Sequence, residues 1–172
     1  MARKILAAGG IVASILALDV MTKRWALNEL THGYTLSGFG DLVPLTLIYN
    51  EGVAFGLSVG GSRWVIIAAT FVVLGALIVL FRQARQNDWL RICSLAMVIA
   101  GAVGNLIDRL RWDLGVVDFI GPFDLGFFHF PIFNVADMAI TTGAAVLALS
   151  LWLEERKPVP EAATNSEATE VA

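Results

Sequence analysis

Charge is scarce in this chain. Asp, Glu, Lys and Arg make up 16% of its 172 residues, against about 25% in a soluble domain. Hydrophobic residues make up 57%, too many for a water-soluble fold, so at this length one domain is expected in which the bilayer replaces a self-built core. Cysteine is rarer still. Cys93 stands alone, which excludes an intramolecular disulfide. Inside an apolar segment, with no base beside it, its thiol is a poor nucleophile and reads as a small buried hydrophobe. His32 and His129 are the only histidines, and neither belongs to H-E-x-x-H, so a zinc site is not expected. The chain has no G-x-S-x-G, no phosphate-binding glycine loop and no basic stripe for nucleic acid. Its net charge of −3 equals the three glutamates of the tail, Glu161, Glu167 and Glu170. The remainder is neutral, and the acidic balance says nothing about a substrate.

Long apolar runs are what the chain does have. A spanning helix needs about 20 mainly apolar residues, and four segments qualify, at about 5–27, 64–81, 90–110 and 133–153. Trp25, Trp64, Trp89 and Trp152 fall near their ends, as interfacial anchors do. The first segment begins like a signal peptide, with Arg3-Lys4 before Ile5–Leu18. No A-x-A site follows it, so it reads as a retained helix. Between the first two runs, residues 28–63 alternate in hydropathy and are broken by glycines, which predicts short strands and turns. Residues 111–132 are rich in Phe and Gly. They predict a membrane-hugging loop with Phe119, Phe123, Phe127, Phe128 and Phe130 toward the lipid interface. The expected fold class is a membrane protein, mainly α: a four-transmembrane-helix bundle with a small extracytoplasmic β-rich segment lying on the membrane. Residues 1–157 form one integral-membrane domain in this reading, and 158–172 a disordered cytoplasmic tail.

Lys and Arg set the orientation. Arg3, Lys4, Arg82, Arg85, Arg91, Arg156 and Lys157 lie on one side, and Lys23, Arg24, Arg63, Arg109 and Arg111 on the other. The seven-to-five bias becomes seven to three if Lys23 and Arg109 serve a site. Both termini are then cytoplasmic.

The unusual acids all fall toward the outer face. An ionisable group near a helix centre costs at least ~2.5–3.5 kcal/mol in lipid, and by default marks function. Asp118 and Asp137 are the leading pair. Two carboxylates close together in a dry site cannot both ionise easily, which yields an acid and a base from one residue type. Such a pair can activate water toward a carbonyl and protonate a leaving amine. The alternative is that each caps a helix or faces the aqueous rim, and the dipole at a helix N-terminus is a fair rival explanation for Asp137. Asp19 and Lys23 have i, i+4 spacing, which suits a same-face ion pair, though Lys23 could also snorkel outward. Asn105 and Arg109 share a face by the same spacing, with Asp108 on a neighbouring one. That patch suits oxyanions or backbone carbonyls, or is simply interfacial. Asn134 lies one turn before Asp137, within reach of its carboxylate. Asn50-Glu51-Gly52-Val53-Ala54-Phe55-Gly56 reads as a tight turn with a close backbone approach.

Five motifs taken together resemble those of the bacterial lipoprotein signal peptidases, also called signal peptidase II. They are Asp19-x-x-Thr22-Lys23, Asn50-x-Gly52-x-Ala54-Phe55-Gly56, Gly101-x-x-Gly104-Asn105-x-x-Asp108-Arg109, Val117-Asp118-Phe119 and Phe133-Asn134-x-Ala136-Asp137. Each is weak alone; five in family order are specific. The resemblance implies an intramembrane aspartyl endopeptidase of the bacterial inner membrane. It would act on a prolipoprotein carrying diacylglycerol, cutting just before the lipidated cysteine. Asp118 and Asp137 match the catalytic pair. Asp19, Lys23, Asn50, Gly52, Ala54, Phe55, Gly104, Asn105, Asp108, Arg109, Asn134 and Ala136 match supporting or substrate-binding positions. No metal or cofactor is implied. Membrane lipid is an expected partner, and a globomycin-type inhibitor is expected to occupy the site. The rival reading from the acids alone is a small proton-coupled transporter or channel subunit. Against it stand only four spans and no repeat of broken helices.

Overall fold

In a computed structural model of the chain, residues 1–38, 42–54, 57–58 and 63–156 are described. Four helices carry it: α1 (Ala2–Glu29), α2 (Arg63–Gln83), α3 (Trp89–Arg111) and α4 (Val135–Glu155). All four are long and apolar enough to cross a membrane. The shortest have 21 residues, or about 30 Å at 1.5 Å per residue, the thickness of bilayer hydrocarbon.

α3 is the central helix, packed on α4, α1 and α2. Its sequence explains this. Ala96, Ala100, Gly101 and Gly104 are small and buried, and they let neighbouring backbones approach. A Cβ on Gly101 would collide with the Ala136 carbonyl of α4, and one on Gly143 of α4 would sit 2.8 Å from the Ser94 carbonyl of α3. Close backbone packing of this kind holds membrane helices together, because lipid removes the hydrophobic drive between them. α2 is peripheral. It leaves Phe71, Val72, Val73, Ile78 and Val79 exposed, a face suited to hydrocarbon.

The remaining elements gather at the end of the bundle formed by the C-termini of α1 and α3 and the N-terminus of α4. β1 (Thr35–Gly38), β2 (Val43–Asn50) and β5 (Val116–Ile120) form an antiparallel sheet in the order β1-β2-β5. A register shift between Leu45 and Ile48 precedes the stretch in which Ile48 faces Asp118 and Asn50 faces Val116. β3 (Val53–Ala54) pairs with β4 (Leu57–Ser58), and β6 (Phe123–Asp124) with β7 (His129–Phe130). The sheet is bound to α1 by a core of Ala26, Leu30, Leu47, Val117 and Phe119.

Two expectations need correction. The loop expected over 111–132 contributes the edge strand β5 to the sheet begun in the earlier segment. Phe119 therefore does not face lipid. It is buried, with its ring 6.2 Å from that of Trp25 in an edge-on contact. Strand alternation turns its side chain inward, whereas Phe127, Phe128 and Phe130 on the adjoining hairpin remain exposed. Phe133, read as the first residue of the fourth helix, instead exchanges backbone hydrogen bonds with Ile120, and α4 begins two residues later.

Candidate active site

Asn134 is the N-cap of α4. Its side-chain oxygen accepts from the Asp137 N–H at 2.9 Å, and Asp137 Oδ2 accepts from the Asn134 N–H at 3.2 Å. This reciprocal box satisfies two backbone donors that a helix start leaves unpaired. The Asn134 amide nitrogen is then free to reach the next strand, where it donates to Asp118 Oδ1 at 2.7 Å and to the Val117 carbonyl at 3.2 Å. One residue thus holds both carboxylates. Of the sequence readings of Asp137, the structure shows the helix cap, and Asn134 links that cap to Asp118. Asn134 orients Asp137 through its backbone and Asp118 through its side chain, rather than Asp137 alone.

Each carboxylate has a second amide donor. Asn50, at the end of β2, donates to Asp118 Oδ2 at 3.0 Å. Asn105 of α3 donates to Asp137 Oδ1 at 2.7 Å. Asp118 is 1% exposed and Asp137 is half-buried, so Asp137 is the more accessible of the two. Burial, and after it the Asp137 charge, push the Asp118 carboxyl up to about 7, against the lowering effect of Asn50, Asn134 and Lys23.

Behind the pair lies a buried charge cluster. Lys23 is 4% exposed and does not snorkel. It pairs with Asp19 at 2.8 Å and Asp108 at 2.9 Å, and donates to Asn105 Oδ1 at 3.1 Å. Asp19 reaches across to accept from the Ala136 N–H at 3.0 Å, a further orphan donor in the first turn of α4. Asp108 accepts from the Val117 N–H at 3.3 Å, which fixes β5 against α3. Gly104 makes this crossing possible, since a Cβ there would lie 2.8 Å from Asp19 Oδ2 and 3.2 Å from the Ala136 Cβ. Arg109, half-buried, donates to the Asn105 carbonyl at 3.4 Å. It lines a cavity of about 220 Å³ together with Glu51, Arg63, Trp112, Asp113 and Gly115.

The turn that begins at Asn50 is an Asx turn. Gly52 donates its N–H to Asn50 Oδ1 at 2.9 Å and has φ +109°, a conformation reserved for glycine. Ala54 lies in β3, and Phe55 lies outside the described residues. The structure adds residues that sequence reading missed. Trp112 Nε1 donates to the Gly115 carbonyl at 2.8 Å, and Arg63 at the start of α2 pairs with Asp113. Gly115 has φ +96°, and a Cβ there would collide with the Asn50 carbonyl. Its place between a helix and an alternating run is a turn signal that could have been read.

A family model described as Signal peptidase (SPase) II matches residues 11–153. The chain belongs to this family. It is 38% identical over 149 residues to the lipoprotein signal peptidase of Oleidesulfovibrio alaskensis, covering 83% of this chain and 92% of that one. It is 41% identical over 148 residues to that of Brevibacillus brevis, covering 86% and 95%. A solved structure described as a bacterial membrane enzyme is also similar, with a TM-score of 0.78 and 28% identity, over 91% of this chain and 96% of that one. Every motif that carries the signal peptidase II resemblance falls within the matched residues.

Proposed function

We propose that the chain removes the signal peptide from diacylglyceryl-modified prolipoproteins as an intramembrane aspartyl endopeptidase, cutting just before the lipidated cysteine. The observation that carries this reading is the pair of carboxylates held by Asn134 at one end of a bundle built to span a membrane. The names of the relatives supply the substrate class. A scissile bond at the membrane surface in a lipid-anchored substrate has to be met by a site at that depth.

The chemistry follows from the two environments. Asp118, buried and with its carboxyl raised to about 7, holds the proton at rest. Asp137, the more accessible of the two and bound by two N–H donors, takes the role of base. Water gives a proton to Asp137 as its oxygen attacks the scissile carbonyl carbon. Asp118 donates a hydrogen bond to the carbonyl oxygen as negative charge develops there. Collapse breaks the C–N bond, and Asp118 gives its proton to the leaving amine. The proton on Asp137 then returns to Asp118 and resets the pair. Arg109 stands on the same side as the carboxylates and suits a substrate carbonyl or head-group oxygen.

The same reading puts the chain in the bacterial inner membrane as a multi-pass protein, with both termini cytoplasmic and the site near the outer face. Residues 1–157 are its peptidase domain in this reading, and the tail expected over 158–172 lies outside the described residues. Membrane lipid surrounds it, and a globomycin-type cyclic peptide is the expected inhibitor. The transporter alternative finds no support, because Asp19, Asp108, Asp118 and Asp137 gather at one end rather than along a path.

The test is cleavage of a diacylglyceryl prolipoprotein by purified enzyme, beside Asp118→Asn and Asp137→Asn as folded proteins. Cleavage before the lipidated cysteine, abolished in both variants, is expected. Full activity in either variant removes that residue from the chemistry.

A further inference from the structure

The opposite end of the bundle has a polar site that the peptidase reading leaves unused. Lys4, in the first turn of α1, is 6% exposed. Its ammonium takes the carbonyls that end α2, donating to Phe81 and, at 2.7 Å, to Ala84. A long cation at a helix C-terminus satisfies orphan carbonyls and the negative end of the dipole. Lys4 also lines a cavity of about 270 Å³, together with Ile5, Phe81, Arg82, Arg85 and Gln86.

The charged lining of that cavity is entirely basic. Arg82 and Arg85 are exposed, and neither forms an ion pair among the described residues. Arg85 also borders a second cavity of about 490 Å³, with Asn87, Asp88, Trp89, Ser150 and Glu154, whose two acids are engaged elsewhere: Asp88 accepts from the Arg91 N–H and Glu154 pairs with the Arg91 side chain. The single ion pair at this end among the described residues, Arg91 with Glu154 at 3.3 Å, uses a different arginine. Two guanidinium forks without an ion pair among the described residues therefore line one cavity with the buried Lys4. Guanidinium matches the geometry of a phosphate diester. The depth is also informative. Ile5 and Phe81 carry the wall into the apolar flank of the bundle, and Trp89 beside it marks an interfacial level. A soluble anion needs only the charge, whereas an anionic phospholipid needs both the charge and the apolar wall.

We propose that this cavity binds the phosphodiester head group of an anionic phospholipid, with Arg82 and Arg85 as its donors, Lys4 as the fixed charge behind them and Ile5 and Phe81 against the acyl chains. The site is at the far end from the carboxylate pair, so its occupancy is separable from peptide cleavage.

Native mass spectrometry of the full chain in detergent tests this, with phosphatidylglycerol, phosphatidylcholine or inorganic phosphate added. The parent is expected to retain at least one phosphatidylglycerol in preference to phosphatidylcholine. Arg82→Gln/Arg85→Gln, at exposed positions, is expected to melt as the parent does and to lose that preference about fivefold or more. Arg156→Gln removes one charge from the same end but outside the cavity, and is expected to leave the preference intact. An equal loss in Arg156→Gln, or none in the double variant, overturns the proposal. So does displacement of the lipid by inorganic phosphate at equal concentration. A preference that emerges only after deletion of residues 158–172 makes the chain's own acidic tail the occupant and overturns it too.

Discussion

Lys23 donates to the amide oxygen of Asn105 at 3.1 Å, and that contact determines which way the Asn105 amide faces. An ammonium can only donate, so the oxygen must point to Lys23 and the nitrogen to Asp137, which it meets at 2.7 Å. The Asn134 amide donates to the same oxygen at 3.1 Å and reinforces the choice. Lys23 thus presents a hydrogen-bond donor to Asp137 without touching it. It also pairs with both Asp19 and Asp108. Lys23→Met leaves both carboxylates buried without their cation, and breaking such a pair costs about 3–5 kcal/mol. The expected result is a large drop in melting temperature in detergent and loss of cleavage. A variant that melts with the parent would show that the cluster is not what holds α1 to α3.

Asn134 has two tasks that substitution can separate. Asn134→Ala removes the cap oxygen, worth about 0.5–2 kcal/mol, and the amide that reaches Asp118. Asn134→Ser restores a cap oxygen and no amide donor. Stability is therefore expected to recover in the serine variant, while turnover stays low. A lost hydrogen bond to the neutral carboxyl is worth about 0.5–1.5 kcal/mol, so kcat is expected to fall roughly 2- to 12-fold. Recovery of kcat in Asn134→Ser would reduce this residue to a helix cap.

The division of labour around Asn134 marks where sequence reading stops. Asp118 and Asp137 were legible because acids beside apolar runs are costly and thus conspicuous. Asp19 and Lys23 were legible as a pair because i, i+4 spacing is local. The bridge through Asn134 was not, since it joins a helix cap to a strand 16 residues earlier, and no local pattern encodes that approach. The sheet shows the same limit. Alternation placed short strands within residues 28–63, but the pairing of Asn50 with Val116 is non-local. Without that pairing, Phe119 looked like one more interfacial aromatic. The four helices needed no such information, because apolar length alone defines a span.

Gly104 is a packing prediction with an internal control. A methyl at this position meets Asp19 and Ala136, both anchored in buried contacts. Gly104→Ala is expected to cost about 1–3 kcal/mol by overpacking and to lower activity, because the Asp19 contact to α4 shifts. Gly75→Ala in α2 meets nothing within 4 Å and is expected to leave melting temperature and cleavage unchanged. Equal behaviour of the two variants in thermal melting would remove the close crossing of α1, α3 and α4 as a requirement.

The raised Asp118 carboxyl links activity to stability with a definite sign. The folded protein binds this proton more tightly than the unfolded chain, with the carboxyl moved from 3.8 to about 7. Below about pH 4 the group is neutral in both states and contributes no difference. As pH rises from about 4 to 7, the unfolded chain ionises first, and the folded state loses relative stability. Above 7 the full cost is present, on the order of 4 kcal/mol at 1.36 kcal/mol per pH unit. Asp118→Asn cannot ionise. It is expected to be inactive yet to gain stability relative to the parent across that window, with no further gain above pH 7. Only the pH dependence of the difference is diagnostic, because asparagine also turns one acceptor into a donor facing Asn50 or Asn134. Parent activity is expected to fall as pH rises through about 7, when the acid of the pair is lost. Parallel melting curves for the two proteins from pH 5 to 8 would show that Asp118 is not the proton holder, and would transfer that role to Asp137.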